Sequence, residues 1–464
     1  MIIQKIGPER LLSYRAIVFI AAVLFAIALG VLAVHSPRAI PEAKAEDALA
    51  RLAPRAARAD VAIVAMDDAS VAKYGPIKSW PRSLLAQGLS KIEDGGAKVA
   101  VLDLALDKRT QTGDSDLWRT MANHKNVVLG MSYDATRDQT YTPDDIRSLV
   151  FLEKYAIADK LTLDKRNQVF QYPLFEPPVS DFTGSSAGVG VFVRETEPDD
   201  TLRSARLFYR STVTYPPASA PIRGKFPTSN LADGAPVALP NLALVTALRV
   251  YDLDKDFVQV VSGDTVHFNA KLDPPVDAPI DNQGRMLIRY YGAPGHYITY
   301  SFADVVSGKV KPDVFKNKVV FLGATAAGDA ATDARTTPFP GQMPRVEVTA
   351  NAVSTFMDRS FYSRYEGRIV PILLVLGVVA GLSLMLVSGV RSTMIAIVLL
   401  LAWFALSYAL YAFGHVMLPI LPGVAAILAA YLISMLLFLG PMRPVALEAS
   451  PMYVPPPADK VHTV

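Results

Sequence analysis

The 464-residue sequence contains no cysteine, which excludes disulfide frameworks, Cys-x-x-Cys redox motifs, zinc ribbons and cysteine-nucleophile enzymes. Charge is scarce as well: 19% of residues are Asp, Glu, Lys or Arg, against roughly 25% in soluble domains. Neither sign dominates, with Lys+Arg 46 against Asp+Glu 43, and no basic block occurs, so no nucleic-acid partner is expected. The six histidines stand singly, at His35, His124, His267, His296, His415 and His462. No metal-ligand spacing, His-Glu-x-x-His or Gly-x-Ser-x-Gly is present, so neither a metal, a cofactor nor a catalytic residue is expected.

What is present is apolar: 51% hydrophobic residues and a mean hydropathy of +0.27. The excess is concentrated in four runs without Asp, Glu, Lys or Arg, at 16–34, 369–387, 393–413 and 418–439. Each is long enough, at about 1.5 Å per helical residue, to cross a hydrocarbon core of about 30 Å. Lys5, Arg10 and Arg15 precede the first run, so the positive-inside rule places 1–15 in the cytoplasm and the 36–366 segment outside. Arg391 and Arg443 then fall on the inner side, and the connection between the third and fourth runs, with His415, on the outer. The expectation is a multi-pass inner-membrane protein with both termini cytoplasmic, 440–464 forming a short tail. A cleaved signal peptide is the rival reading of the first run, since Ala43-Lys44-Ala45 has the form of a cleavage site.

No run carries an ionisable residue, which argues against transport. Ala22, Ala26 and Gly30 form a small-residue row on the first, and Gly377 and Gly381 a Gly-x-x-x-Gly pattern on the second. Such rows permit close helix packing, either within the chain or in a homodimer.

The exported segment reads as α/β. Residues 37–58 suggest a helical stalk. Continuous apolar runs at 61–66 and 99–102, joined by a helical pattern after Trp80-Pro81-Arg82, make a β-α-β unit with a parallel pair. A short helix and a third strand follow at 116–131, and then an insertion over 134–180. Segments 187–193 and 204–209 alternate like an antiparallel pair around Asp199-Asp200. Prolines crowd 215–240. Next come a helix at 242–251, a hairpin at 258–268, strands at 286–291 and 318–322, and helices at 302–306 and 346–358. The fold class is thus α/β: a mostly parallel sheet flanked by helices with antiparallel additions, plus an all-α membrane part of four transmembrane helices.

Five segments resemble the CHASE2 family of extracytoplasmic sensory domains. They are Val64-Ala-Met-Asp67-Asp68-Ala-Ser70 with Trp80-Pro81-Arg82; Gly96-Ala-Lys98-Val-Ala-Val-Leu-Asp103; Tyr291-Gly292 through Tyr300-Ser301-Phe302-Ala303-Asp304; Lys318-Val-Val-Phe-Leu-Gly323-Ala-Thr325; and Asp333 and Thr337-Pro338 leading to Val346-Glu347-Val348-Thr349-Ala350-Asn351. The last is similar to the family's "TP…G-V-x-x-H-A-N" close, with Thr349 in place of His. The family's D-x-D-G-x-x-R hairpin stands as Asp199-Asp200-Thr201-Leu202-Arg203, with Thr in place of Gly. The resemblance covers about 40–360, and one helix before the domain with three after it also looks like that family.

Asp67 and Asp103 end strands expected to be adjacent, where open α/β sheets place a ligand crevice. Both could bind polar ligand groups there, or simply cap the next turn. Trp80 and Arg82 could form a wall of that crevice or start a packed helix, and Asp333 and Thr337 lie in a polar loop near it. Gly323-Ala-Thr-Ala-Ala-Gly328 lacks the Gly-Lys-Ser/Thr ending of a phosphate loop. The leading expectation is a non-enzymatic receptor that detects an envelope-side ligand or protein and signals through its helices. Its output would pass to a cytoplasmic partner, or to an effector domain missing from this chain. The alternatives are a structural or assembly subunit of an envelope complex and, last, an ectoenzyme.

Overall fold

The computed structural model describes residues 16–17, 19–29, 40–110, 112–133, 143–156, 175–212, 236–261, 265–268, 272–281, 283–364, 369–385 and 390–439. The chain forms two compact units. One comprises Met1–Glu42, Tyr365–Ala409 and Leu418–Val464, the other Ala43–Arg364 with Leu410–Met417.

In chain order the first half holds α1 (Phe19–Leu29), α2 (Ile40–Leu52), β1 (Val61–Met66), α3 (Asp68–Tyr74), α4 (Arg82–Asp94), β2 (Val99–Asp103), α5 (Asp114–His124), β3 (Val127–Tyr133), α6 (Pro143–Leu152), β4 (Phe175–Glu176), α7 (Ser180–Ser185), β5 (Gly188–Val191), β6 (Ser204–Arg206) and β7 (Phe208–Thr212). The second half holds β8 (Pro236–Pro240), α8 (Leu242–Val250), β9 (Val258–Val261), β10 (Thr265–Phe268), β11 (Asp277–Pro279), β12 (Arg285–Leu287), β13 (Ile298–Ser301), α9 (Phe302–Val306), β14 (Val319–Ala324), β15 (Ala334–Thr336), β16 (Gln342–Pro344), α10 (Arg345–Met357), β17 (Ser363–Arg364), α11 (Ile369–Met385), α12 (Val390–Ala409), β18 (Val416–Met417) and α13 (Ile420–Leu439).

The large unit is built on a parallel sheet of order β13-β1-β14-β2-β3, continued by β5 beside β3. Every side chain of β1, β2 and β14 is buried, as continuous apolar runs require of strands covered on both faces. On one face Val64, Leu102, Leu129, Val189 and Leu322 pack with Leu85, Leu89, Ile92, Leu117, Phe182 and Phe302 from α4, α5, α7 and α9. Each such side chain contributes roughly 1.5–3 kcal/mol by leaving water. On the other face α8 and α10 approach closely because glycines stand opposite them. A Cβ on Gly190 would lie 2.6 Å from the Asn241 backbone, and one on Gly323 2.7 Å from the Val346 side chain. A second core, including Leu248, Val266, Phe268, Ala278 and Phe356, joins α8 and α10 to the small sheet β11-β10-β9.

Three sequence expectations change. β1 and β2 are not neighbours, since the last strand, β14, lies between them and pairs with both. Segments 187–193 and 204–209 do not pair: β5 runs parallel to β3, and β6 is antiparallel to β12. The 286–291 strand is shorter, Arg285–Leu287, and the sheet's edge strand is instead β13. The prolines of 215–235, Gly263-Asp264, most of 134–174, Gly30 and the 440–464 tail lie outside the described residues.

In the small unit the small-residue faces meet each other. A Cβ on Gly377 would lie 2.6 Å from the Ala26 Cβ, and one on Gly381 3.4 Å from the Ala22 Cβ. Ala22, Ala380 and Ala430 form one buried cluster and Ala26, Leu373 and Ala426 another, so α1, α11 and α13 share a seam. The Glu42 carboxylate accepts from the Ile420 and Leu421 amides and so caps α13. The outward faces are greasy, with Val375, Val390, Met394, Val398, Leu401 and Leu432 exposed. Among the described residues one helix, Val390–Gly414, is long and apolar enough to cross a membrane; Phe19–Leu29, Pro371–Gly381 and Ile420–Met435 are shorter apolar helices.

Candidate functional site

At the C-terminal edge of the sheet, Ala65 of β1 pairs with Gly323 of β14, which pairs in turn with Asp103 of β2. Asp67 and Asp103 therefore flank β14. Asp67 is the N-cap of α3. Its Oδ1 accepts from the Ser70 amide (2.9 Å), the Ser70 hydroxyl (2.6 Å) and the Ser301 hydroxyl (2.9 Å). Neighbouring Asp68 accepts from the Ala327 amide at 2.8 Å, which fastens the loop after β14. That loop, Gly323–Gly328, leads into turns and not a helix, so it has no helix N-terminus with which to hold a phosphate.

Asp103 is 2% exposed and holds the first turn of α10. Its Oδ1 accepts from Arg345 Nε at 2.6 Å and its Oδ2 from the Thr349 hydroxyl at 2.7 Å. Arg345 also reaches Asp333 through Nη1 at 3.1 Å and lies 3.7 Å over the Phe192 ring. Asp333 in turn pairs with Arg335 at 2.7 Å. Asp103 and Asp333 are thus joined in one Asp-Arg-Asp-Arg chain, buried at its Asp103–Arg345 end and partly exposed at Asp333 and Arg335, and a buried pair of this kind holds only while each partner stays in place. In the closing motif Arg345 stands where the resembling family has Gly, and Thr349 where it has His. These two departures are the side chains that engage Asp103.

Thr337 is buried, and its hydroxyl has no hydrogen-bond partner among the described residues. Trp80 is buried too, stacked on Phe302 with centroids 5.1 Å apart, its indole N–H donating to the Gly75 carbonyl at 2.7 Å. Arg82 opens α4, and its Nε lies 3.9 Å from the Asp114 carboxylate without a hydrogen-bond partner among the described residues. Burial holds its guanidinium below the ordinary arginine value. Trp80 and Arg82 belong to the α4 face of the sheet, whereas Asp103, Arg345 and Thr349 belong to the α10 face. No group of three or more acidic or histidine side chains suited to a metal occurs among the described residues.

Two further clusters surround buried arginines. Arg203, 4% exposed, closes the Asp199–Arg203 turn. It binds Asp47 of α2 through two bonds (2.7 and 2.9 Å), Asp199 through two (both 2.8 Å) and Glu197 at 2.9 Å. Although burial opposes it, the bonds to Asp199 and Asp47 raise its pKa, and Arg203 holds the Asp199 carboxyl well below its usual range. Lys44 adds a contact to Asp199 at 3.1 Å. The stalk helix is therefore anchored along its side, a contact that the resembling hairpin motif signals through Arg203 but not through Asp47.

The second, Arg289, is 3% exposed. Its Nη1 lies 3.0 Å from His415 Nε2, and its guanidinium carbon 5.0 Å from the Tyr362 ring centre. Tyr362 stacks on Tyr411 at 4.6 Å, and β17 pairs with β18, so the α12–α13 connection belongs to the large unit. The sequence shows His415 only as the one ionisable residue of that connection; nothing local points to Arg289.

No curated protein and no solved structure matches the chain. The CHASE2 domain family matches residues 18–390. The parallel sheet with its Asp67 and Asp103 strand ends, the Arg345–Asp103 closure and the apolar helices α1 and α11 lie within that span: the chain belongs to the CHASE2 family of extracellular sensory domains.

Proposed function

We propose that the protein is a four-span membrane receptor whose exported domain senses an envelope-side signal and passes it through its helices to a cytoplasmic partner, without catalysis. One observation carries this reading: Asp103 grips α10 at both Arg345 and Thr349, and the chain runs from the end of α10 at Met357 to the start of α11 at Ile369 within a dozen residues. A ligand competing for Asp103 or Arg345 would change how α10 is held. Differential affinity for the two arrangements is what a sensor needs.

The absence of cysteine makes single-cysteine labelling a clean test. In right-side-out vesicles a membrane-impermeant maleimide should label exposed Gln87→Cys and, in the connection between the third and fourth spans, Val416→Cys directly, and Arg391→Cys only after permeabilisation. Labelling of Arg391→Cys in intact vesicles would overturn the four-span arrangement. For the lever, Ser363→Cys should change its labelling rate severalfold when Asp103→Asn is added. An unchanged rate in a folded protein would favour the alternative of a static assembly subunit.

A further inference from the structure

Arg289 and Arg55 lie on paired segments of the large unit, because the Arg55 amide donates to the Tyr291 carbonyl at 3.1 Å, two residues beyond Arg289. His415 joins them through its 3.0 Å contact with Arg289, with its ring centre 6.0 Å from that of Tyr362. Neither guanidinium forms a salt bridge with a carboxylate among the described residues, whereas the unit's other two buried arginines among them, Arg203 and Arg206, are each paired with Asp or Glu. Two acids lie nearby. Asp358 is taken by Arg58 and Tyr291, and Glu46 acts on Tyr411.

The field is felt throughout the cluster. Burial and then the neighbouring Arg55 lower Arg289, and burial with both arginines lowers His415. Because a guanidinium can only donate, His415 Nε2 accepts from Arg289. Arg289 has five N–H donors, of which one is used on His415 while its face covers Tyr362. A buried cation without an opposite charge is costly. Arg55 and His415 are both partly exposed, so the cluster is open to solvent on their side.

We propose that Arg55, Arg289 and His415 form a binding site for a phosphate group, supplied either by free inorganic phosphate or by the headgroup of an anionic lipid. Two planar forks match the several oxygens of a phosphate better than the two of a carboxylate. Chain position supports the lipid source, since His415 directly follows the apolar helix Val390–Gly414. The inference stands apart from the sensory reading, which rests on Asp103 and α10.

The test uses the full-length chain in neutral detergent, with thermal midpoint and native mass spectrometry as readouts. Inorganic phosphate is titrated against chloride at matched ionic strength, and phosphatidylglycerol against phosphatidylcholine. A saturable rise in midpoint with phosphate alone identifies the free anion. Selective retention of phosphatidylglycerol identifies the headgroup. In either case Arg289→Gln and Arg55→Gln should each weaken the apparent affinity by roughly tenfold or more. Arg55 is partly exposed, so Arg55→Gln keeps the test decisive if Arg289→Gln misfolds. Binding of neither probe by the wild-type chain, or binding undiminished in Arg55→Gln, overturns the proposal.

Discussion

Arg203 and Arg289 are buried to the same degree, 4% and 3% exposed, within the same unit, yet their surroundings are opposite. Arg203 is met by three carboxylates that take five hydrogen bonds from it. Arg289 is met by an imidazole and an aromatic face. The pKa directions follow: paired acids raise the first despite burial, and burial lowers the second. A cation surrounded by acids is a fastener. One left without them is a place where an anion gains more than it would in water.

The largest expected effect comes from breaking the fastener. Arg203→Met leaves Asp47, Asp199 and Glu197 facing one another without the guanidinium that joins them, and removing one partner of a buried ion pair costs about 3–5 kcal/mol. The variant should lose its cooperative thermal transition or be degraded on expression. A midpoint within a few degrees of wild type would mean that the acids rearrange to water and that the comparison with Arg289 is empty.

Glu93 is the acidic counterpart of Arg289, buried at 6% exposure with His124 3.8 Å away. Its Oε1 and the Asn126 Oδ1 are both acceptors without a donor among the described residues. Burial pushes its pKa from 4.5 up to about 7. A raised carboxyl pKa means that the folded form keeps its proton longer than the unfolded form. This contribution to stability is full below pH 4.5 and is lost as pH rises through about 7. Glu93→Gln should therefore match wild type at pH 4 and exceed it by roughly 2–3 kcal/mol at pH 8. Thermal midpoints measured across that range give the answer, and parallel pH profiles would remove Glu93 from the class of uncompensated buried charges.

Such contrasts are only partly legible in sequence. Strands β1, β2, β3 and β14 announce themselves as continuous apolar runs, and α4, α8 and α10 by their helical spacing, because these signals are local. The order of strands is not local. Nothing in Val319–Ala324 says that it enters between β1 and β2, and without that insertion Asp67 and Asp103 look like neighbours. Segments 187–193 and 204–209 alternate convincingly but choose separate partners, since short alternation specifies a face and not a mate. β13 was hidden because Ile298-Thr-Tyr-Ser301 is half polar, as suits an edge strand with Ile298 42% exposed. At the candidate site the carboxylates were readable as strand ends, whereas their engagement was not: Arg345 lies 242 residues from Asp103, and Arg203 156 residues from Asp47.

Asp103 stands between the two extremes, with one arginine shared between two acids. Asp103→Asn keeps an acceptor for Thr349 or Arg345 but removes the charge, leaving Arg345 to Asp333. The expected loss is about 1–3 kcal/mol, read as a lower thermal midpoint together with faster proteolysis near residue 345. A loss as large as that of Arg203→Met would show that the crevice is a fastener too, and too rigid for a ligand to open.

The smallest effect should come from Arg289. If its charge is uncompensated, Arg289→Gln in phosphate-free chloride buffer removes a desolvation cost while its amide can still donate to His415, so the midpoint should stay within about 1 kcal/mol of wild type. Added phosphate should then separate the two proteins by stabilising only the wild type, because a ligand raises stability only through the state that binds it. A large loss in chloride buffer would instead place Arg289 beside Arg203: its bond to His415 and its cover of Tyr362 would be holding the α12–α13 connection, and the absence of a carboxylate would reflect a structural contact satisfied without one.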